Sequence, residues 1–442
     1  IQQGVAKIDV SADQAGDLAS AAGASLEQRK REFQSLFDTR DFATALAHAQ
    51  ASVSMFPQTA YFLTACTLCC TRLQRWQEAV DWGMRAEPLP DIGFNLFDAL
   101  SYAAWSLGRA EDVRRWGLRA LSLRDEKFGR TDAASELKSA PRPPPPAPER
   151  AHRNVLAFSL FGADPKYVEP AVENAVAVHT IYPGWRARFY VDESVPKEAL
   201  ARLSQSGAEV IHVDSSLRSW PGAMWRLLAA DDEGVDRVLF RDADAVVSER
   251  EARAVCDWVN DGACFHTMRD AGTHTELIMA GMWGALTGVL PKLRPLIEVY
   301  LAEKTPQGFA RHYADQWFLR SRVWPHVRQA VLSHDSQFGF GRHLPFSPPE
   351  SSARAHIGGC VGGLNCRVSV PWQDGVRVSW SARSATNLDE KCSGDYQASV
   401  TQGQLAVSLT QKQMRAWRRE ELVLQLDAQG QTLVKRWSQA NE

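Results

Sequence analysis

The chain has 442 residues, with 50 Lys and Arg against 52 Asp and Glu, and a formal net charge of −2. That length allows about two or three domains with a sizeable core, and the balanced charge leaves no basic footprint for nucleic acid or a membrane surface. No apolar run approaches the roughly 18 to 20 residues a membrane span needs, and the opening "IQQGVAKIDV" has no basic-then-apolar leader pattern.

The first third is periodic. "RDFATALAHAQ", "QRWQEAVDWGM" and "GRAEDVRRWGL" place Phe42, Trp76 and Ala110 at steps of 34 residues, and Ala45, Ala79 and Val113 keep the same step. Residues 25–125 resemble the tetratricopeptide family on this period, as three helix pairs that must stack to bury their apolar faces. Two readings stand equal: a concave surface that holds a peptide or protein partner, and a structural cap or assembly element.

Cys66, Cys69 and Cys70 share one helix face in this region, with no second Cys or His pair beside them. They read as buried thiols. The eight cysteines are scattered, without the density of a disulfide scaffold, which suits a reducing cytoplasm.

Residues 126–151, including "KSAPRPPPPAPERAHRN", read as a proline-rich linker, an extended and semi-rigid spacer. Apolar strands and amphipathic helices then alternate. "NVLAFSLF", "RARFYVD", "AEVIHV" and "DRVLF" read as strands; "DPKYVEPAVENAVAVHTIYPGW", "PKEALARLSQSG" and "PGAMWRLLAADD" read as helices. Such alternation predicts a mostly parallel sheet covered on both faces, with ligands beyond the carboxyl ends of its strands.

Asp242-Ala243-Asp244 falls beyond one such end, and Ser248 with Glu251 forms a capping-box pattern that opens the next helix. Two carboxylates so close repel unless a cation neutralises them, and their hard oxygens suit Mn²⁺ or Mg²⁺. Such an ion can stabilise a diphosphate leaving group. Alone, Asp-x-Asp is also the commonplace of a solvated turn.

"WRLLAADDEGVDRVLFRDADAVV" is similar to the core of the GT-A glycosyltransferases, family 8 and its bacterial relatives in particular. "LIMAGMWGAL", "ADQWFLR" and "AHIGG" follow in the family's order. The likeness covers about residues 152–362 and implies a GT-A α/β domain that moves a sugar from a UDP-sugar, with retention, to a protein, peptide or glycan acceptor. It implies that Asp242, Asp244 and His356 bind the metal, with His334 as rival to His356. Arg226, Asp242 and Gly281 would bind the donor, and Asp315 and Gln316 would line the reacting centre. "FHTMRDAGTH" resembles a segment of a bacterial subset sharing "GMWG", which adds His266, Arg269 and Asp270 as donor contacts. Met279 stands where the family has Asn, Arg241 where it has an apolar residue, and no Lys-Pro-Trp follows "HIGG".

Trp220, Trp225 and Trp283 read as core more readily than as stacking platforms. "RHLPFSPP" reads as an irregular loop able to act as a lid. Residues 363–442 alternate with period 2 between Gly turns, predicting a small β-rich region with a short helix near 411–419. The rival to an enzyme is a partner-binding repeat scaffold with an inactive transferase-like domain; a metal-dependent diphosphate hydrolase is a third reading.

Overall fold

The computed structural model describes residues 20–130, 137, 142–304, 311–347 and 356–438. Six helices come first: α1 (Ser20–Asp38), α2 (Phe42–Met55), α3 (Ala60–Arg72), α4 (Trp76–Ala86), α5 (Phe94–Ser106) and α6 (Ala110–Phe128). The 34-residue step recurs in space, because Phe42, Trp76 and Ala110 are the first residues of α2, α4 and α6. Small residues sit where these helices meet. A Cβ on Gly83 would come within 2.4 Å of the Leu100 side chain. Cys66, Cys69 and Cys70 are buried on α3, and burial pushes the Cys66 thiol up to about 12 and Cys70 to about 11.

Part of the proline-rich stretch lies outside the described residues. The described part is docked rather than free, contrary to its reading as a spacer. Arg237 donates to the carbonyls of Pro143 and Pro144, both at 2.8 Å, and Arg142 donates to those of Val259 and Asn260. Proline carbonyls have no helix or ladder partner here, so an arginine fork can collect them.

The second region follows as β1 (Asn154–Leu160), α7 (Pro165–Ile181), β2 (Arg186–Val191), α8 (Lys197–Gln205), β3 (Glu209–His212), β4 (Arg237–Arg241), α9 (Glu249–Asp261), β5 (Phe265–Arg269), β6 (Met282–Leu286), α10 (Leu293–Lys304), α11 (Ala314–Phe318), α12 (Trp324–Val327), β7 (Val331–Asp335) and β8 (His343–Leu344). The eight strands form one sheet in the order β3-β2-β1-β4-β6-β5-β7-β8. Only β6 runs antiparallel to its neighbours. The chain fills the sheet outward from β1 in one direction and then returns to β1's other side, which opens a crevice at the carboxyl ends of β1 and β4. The segment "GAMWRLLAAD" (Gly222–Asp231), expected as a helix, is a 3₁₀ helix. A π turn (Leu319–Val323) joins α11 to α12.

The predicted β-rich region is present as β9 (Leu364–Ser369), β10 (Arg377–Ser384), β11 (Tyr396–Ser399), β12 (Gln404–Leu409), α13 (Gln411–Arg418), β13 (Leu422–Ala428) and β14 (Gln431–Lys435). It has its own core around Trp380, Leu405, Trp417 and Leu424. Its anchor is the buried Glu169 of α7, whose carboxylate accepts from Arg202, Gly394 N, Tyr396 Oη and Gln413 Nε2.

The repeats and the large sheet share one continuous core. Arg124 of α6 is buried between Asp98 (2.6 Å) and Glu276 (3.4 Å). Asp125 accepts from Trp324 and Arg328, and a Cβ on Gly117 would strike Phe338 at 2.1 Å.

Candidate functional site

Strand β4 ends in Arg241, and the acidic loop starts at the next residue. In the β4–β6 ladder Arg241 faces Met282, so Asp242 lies across from Gly281. A Cβ at Gly281 would sit 2.1 Å from Asp242 Oδ2, so only glycine lets the two backbones carry that carboxylate between them.

Arg226, on the 3₁₀ helix, reaches under the loop. Its Nη1 donates to Asp242 Oδ1 at 2.5 Å and to the Arg241 carbonyl at 2.6 Å, and its Nη2 donates to Asp315 Oδ2 at 2.8 Å. Arg226 and Asp315 are buried, whereas the Asp242 side chain is 46% exposed. Burial works against the Arg226 charge, but the two carboxylates outweigh it and hold the guanidinium protonated. Burial also raises the Asp315 carboxyl, and Arg226 opposes that rise.

Gln316 donates from Nε2 to the Ile278 carbonyl and accepts the Ala280 N–H at 3.0 Å, which fixes the segment before Gly281. Arg226, Asp242, Gly281, Asp315 and Gln316 therefore meet at one edge of the sheet, from four stretches of chain.

Asp244 is half-buried in the same loop. Burial raises its carboxyl above the ordinary aspartate value, and the negative charge of Asp242 adds to the rise. Cys360 lies against it, the charge of Lys166 acts to lower its carboxyl, and its backbone carbonyl accepts the Val361 N–H at 2.8 Å. A carboxylate that resists ionising beside a second, solvent-facing carboxylate is an arrangement a divalent cation would relieve. Carboxylate oxygens are the donor type that Mn²⁺ and Mg²⁺ take.

Other expected contacts fall elsewhere. His356 does not complete a set with Asp242 and Asp244. Among the described residues one group has metal-ligand spacing: Asp270, His274 and His356, with ligand atoms within 4.8 Å of one another. His334 is buried in β7, with Nδ1 2.8 Å from His266 Nε2 and Nε2 3.4 Å from Asp257. His266 itself stacks on Trp258 at 5.6 Å, beneath α9. Burial lowers both histidines, so the pair sits uncharged in the core. Arg269 is spent on the backbone and on Ser333: it donates to the Glu276 and Leu277 carbonyls and to Ser333 Oγ.

The departures from the family pattern have local causes. Arg241 is buried against Glu251 at 2.6 Å, and Glu251 also accepts from Tyr182. The Glu251 side chain therefore never returns to the helix start. Only the Ser248 half of the capping box forms, accepting the Glu251 N–H. Met279 packs into a small apolar cluster with Met268, Met282, Phe346 and Ile357. Trp220, Trp225 and Trp283 are all buried, Trp283 stacked on Phe240 at 4.2 Å. Of the lid expected at 342–349, His343–Leu344 pairs with β7 and Phe346 is buried under Arg250; Pro348 and Pro349 lie outside the described residues.

Two features of this edge carry little or no sequence signal. His274 is legible only as the i+4 neighbour of Asp270. The repeats also contribute: Trp105 of α5 lies 6.2 Å from the His356 ring, and Ser101 donates to the Gly272 carbonyl at 2.7 Å.

No protein-family model matches the sequence, and none of the curated proteins compared with it does. The solved structures that are similar over part of the chain include two of low identity. One is a mutant of the Thermobaculum terrenum O-GlcNAc transferase, at 13% identity and a TM-score of 0.26, covering 50% of this chain and 46% of that one. The other is a mycobacterial protein at 17% identity and a TM-score of 0.24, covering 33% and 54%. The matched part spans about half the length of each of those structures. No helix among the described residues is long and apolar enough to cross a membrane.

Proposed function

We propose that the chain is a metal-dependent glycosyltransferase that moves a sugar from a UDP-sugar to a protein, peptide or glycan acceptor. The observation that carries this reading is the meeting of Arg226, Asp242, Gly281, Asp315 and Gln316 at the carboxyl edge of β4. Those residues were marked by the order of separate motifs. Adjacency in space is what a shared donor site requires, and it supports this reading.

In this reading Asp242 and Asp244 hold Mn²⁺ or Mg²⁺, which supplies charge stabilisation to a diphosphate leaving group. Arg226 orients Asp242 through Oδ1, with Oδ2 against Gly281, on a side chain that stays 46% exposed. Gly281 lets the donor's sugar approach the backbone. Asp315 is already paired to Arg226, so it acts by holding that arginine, and Gln316 shapes the 278–281 backbone.

A second reading, a repeat scaffold with an inactive transferase-like domain, draws on two observations: Asp242 is already paired with Arg226, and His356 is turned toward Asp270. The test is UDP release from a panel of UDP-sugars with Mn²⁺ or Mg²⁺, with and without cell extract as acceptor. Metal-dependent release that Asp244→Ala abolishes supports the transferase. UDP binding of equal strength in chelator and in Mn²⁺, with no release from any donor, leaves the scaffold.

A further inference from the structure

We propose that Asp270, His274 and His356 form a site for a transition-metal dication of the Zn²⁺ class, separate from the Asp242–Asp244 loop. Two imidazoles and one carboxylate are a donor set that Zn²⁺ favours and that Mg²⁺, which prefers oxygen and water, does not.

The spacing fits. The three ligand atoms lie within 4.8 Å of one another, and His274 Nδ1 is 3.4 Å from Asp270 Oδ1. Two ligands on one ion with bonds of about 2 Å stand roughly this far apart. Without the ion, His274 Nδ1 accepts the Asp270 N–H at 3.1 Å, a bond the metal would replace.

The surroundings already orient the ligands. His356 Nδ1 lies 3.1 Å from the Ile357 carbonyl, which places the ring proton there and turns Nε2 into the ligand. Asp270 is held by Arg250 Nη1 at 2.5 Å and by the Ile357 N–H at 3.0 Å. The His274 and His356 rings meet edge to face at 4.9 Å, with the positions fixed from both loops.

Its place in the fold suggests what the ion does. Asp270 and His274 belong to the loop after β5, and His356 belongs to the segment that runs on to Val361 and Asp244. The repeats close over the first loop: a Cβ on Gly272 would sit 2.3 Å from Trp105 Cβ. An ion here ties the two loops together beneath α5, with three protein ligands.

The test uses the full chain, stripped of metal and titrated with Co²⁺. The expected result is one bound ion with tetrahedral visible absorption, displaced by Zn²⁺ and not by millimolar Mg²⁺, and a Zn²⁺-dependent rise in melting temperature. His274→Ala and His356→Ala should each weaken binding at least about tenfold, and Asp244→Asn should leave it intact. His356 is only half-buried, so its variant is read as folded by circular dichroism even if His274→Ala is not. Absence of the visible spectrum or of the Zn²⁺-dependent rise in the wild-type chain overturns the proposal. So does binding that survives His356→Ala, binding lost in Asp244→Asn, or a sulfur-to-cobalt band that assigns the ion to a cysteine. None of these readouts involves sugar transfer, so failure here leaves the transferase reading standing.

Discussion

Arg226 links two carboxylates that are 73 residues apart in the chain: its Nη1 is 2.5 Å from Asp242 and its Nη2 is 2.8 Å from Asp315. Arg226 and Asp315 are buried, and without Asp315 the guanidinium keeps Asp242 alone as its counter-charge. Asp315→Ala should cost roughly 1.5 to 3 kcal/mol of stability, and Asp315→Asn, which keeps an accepting oxygen, clearly less. Urea unfolding measures both. An alanine variant within about 1 kcal/mol of wild type would show that water reaches the pair.

Gly281→Ala tests the close approach. The added Cβ would overlap Asp242 Oδ2, and Arg226 prevents that carboxylate from retreating freely. UDP binding in Mn²⁺ should weaken by an order of magnitude or more, with only a modest change in melting temperature. Calorimetry with UDP reads the first and a melting curve the second. Undiminished UDP affinity would remove Asp242 from the donor site.

Asp244 has its carboxyl raised by burial first and by Asp242 second. A raised carboxyl favours the protonated form in the fold, so its contribution is complete below the unfolded value of about 3.9 and is lost as pH climbs through the folded value. Without metal, Asp244→Asn should therefore melt higher than wild type at neutral pH, and the gap should close toward acid pH. Saturating Mn²⁺ with UDP should stabilise wild type and not the variant. A variant that melts lower than wild type at neutral pH without metal would contradict this.

The His266–His334 pair runs the opposite way. Burial lowers both rings, so the fold excludes protons that the unfolded chain takes up near pH 6.5. The stability they allow is present above that pH and is lost as pH falls through it, with a slope of about 1.4 kcal/mol per pH unit for each proton. Chemical unfolding from about pH 7.5 down to about pH 5 should show this loss, and a His266→Phe, His334→Leu double variant should flatten it. An unchanged slope would place the acid sensitivity elsewhere.

Arg124 holds the repeats to the large sheet, between Asp98 and Glu276 and over the Phe94 ring at 4.2 Å. Arg124→Ala should cost roughly 1.5 to 3 kcal/mol, since it removes charge-assisted bonds to the half-buried Asp98 and Glu276, of which Glu276 keeps Arg320 at 3.2 Å. A chain starting near Ala151 should aggregate or melt far below the full chain, because one core spans both regions. A truncated chain with an unchanged melting temperature would show that the regions fold independently.

By itself the sequence determined the periodic and local features. The 34-residue step located α2, α4 and α6, the period-2 alternation located β9 to β14, and the apolar run before Asp242 located β4. Each rests on a pattern repeated along the chain, which neighbours in sequence suffice to produce. Only tertiary structure decided where the histidines and arginines went. His266, His334 and Arg269 sit in motifs that read as donor or metal contacts, yet they face α9, Trp258 and the 276–277 backbone. His356 meets Asp270 and His274 instead of the acidic loop. The proline-rich stretch reads as a spacer until Arg237 collects its carbonyls and its own Arg142 reaches the end of α9. The physical reason is common to all of these. A long polar side chain is committed by whichever buried partner desolvates it, and that partner lies tens to hundreds of residues away, where no local pattern records it.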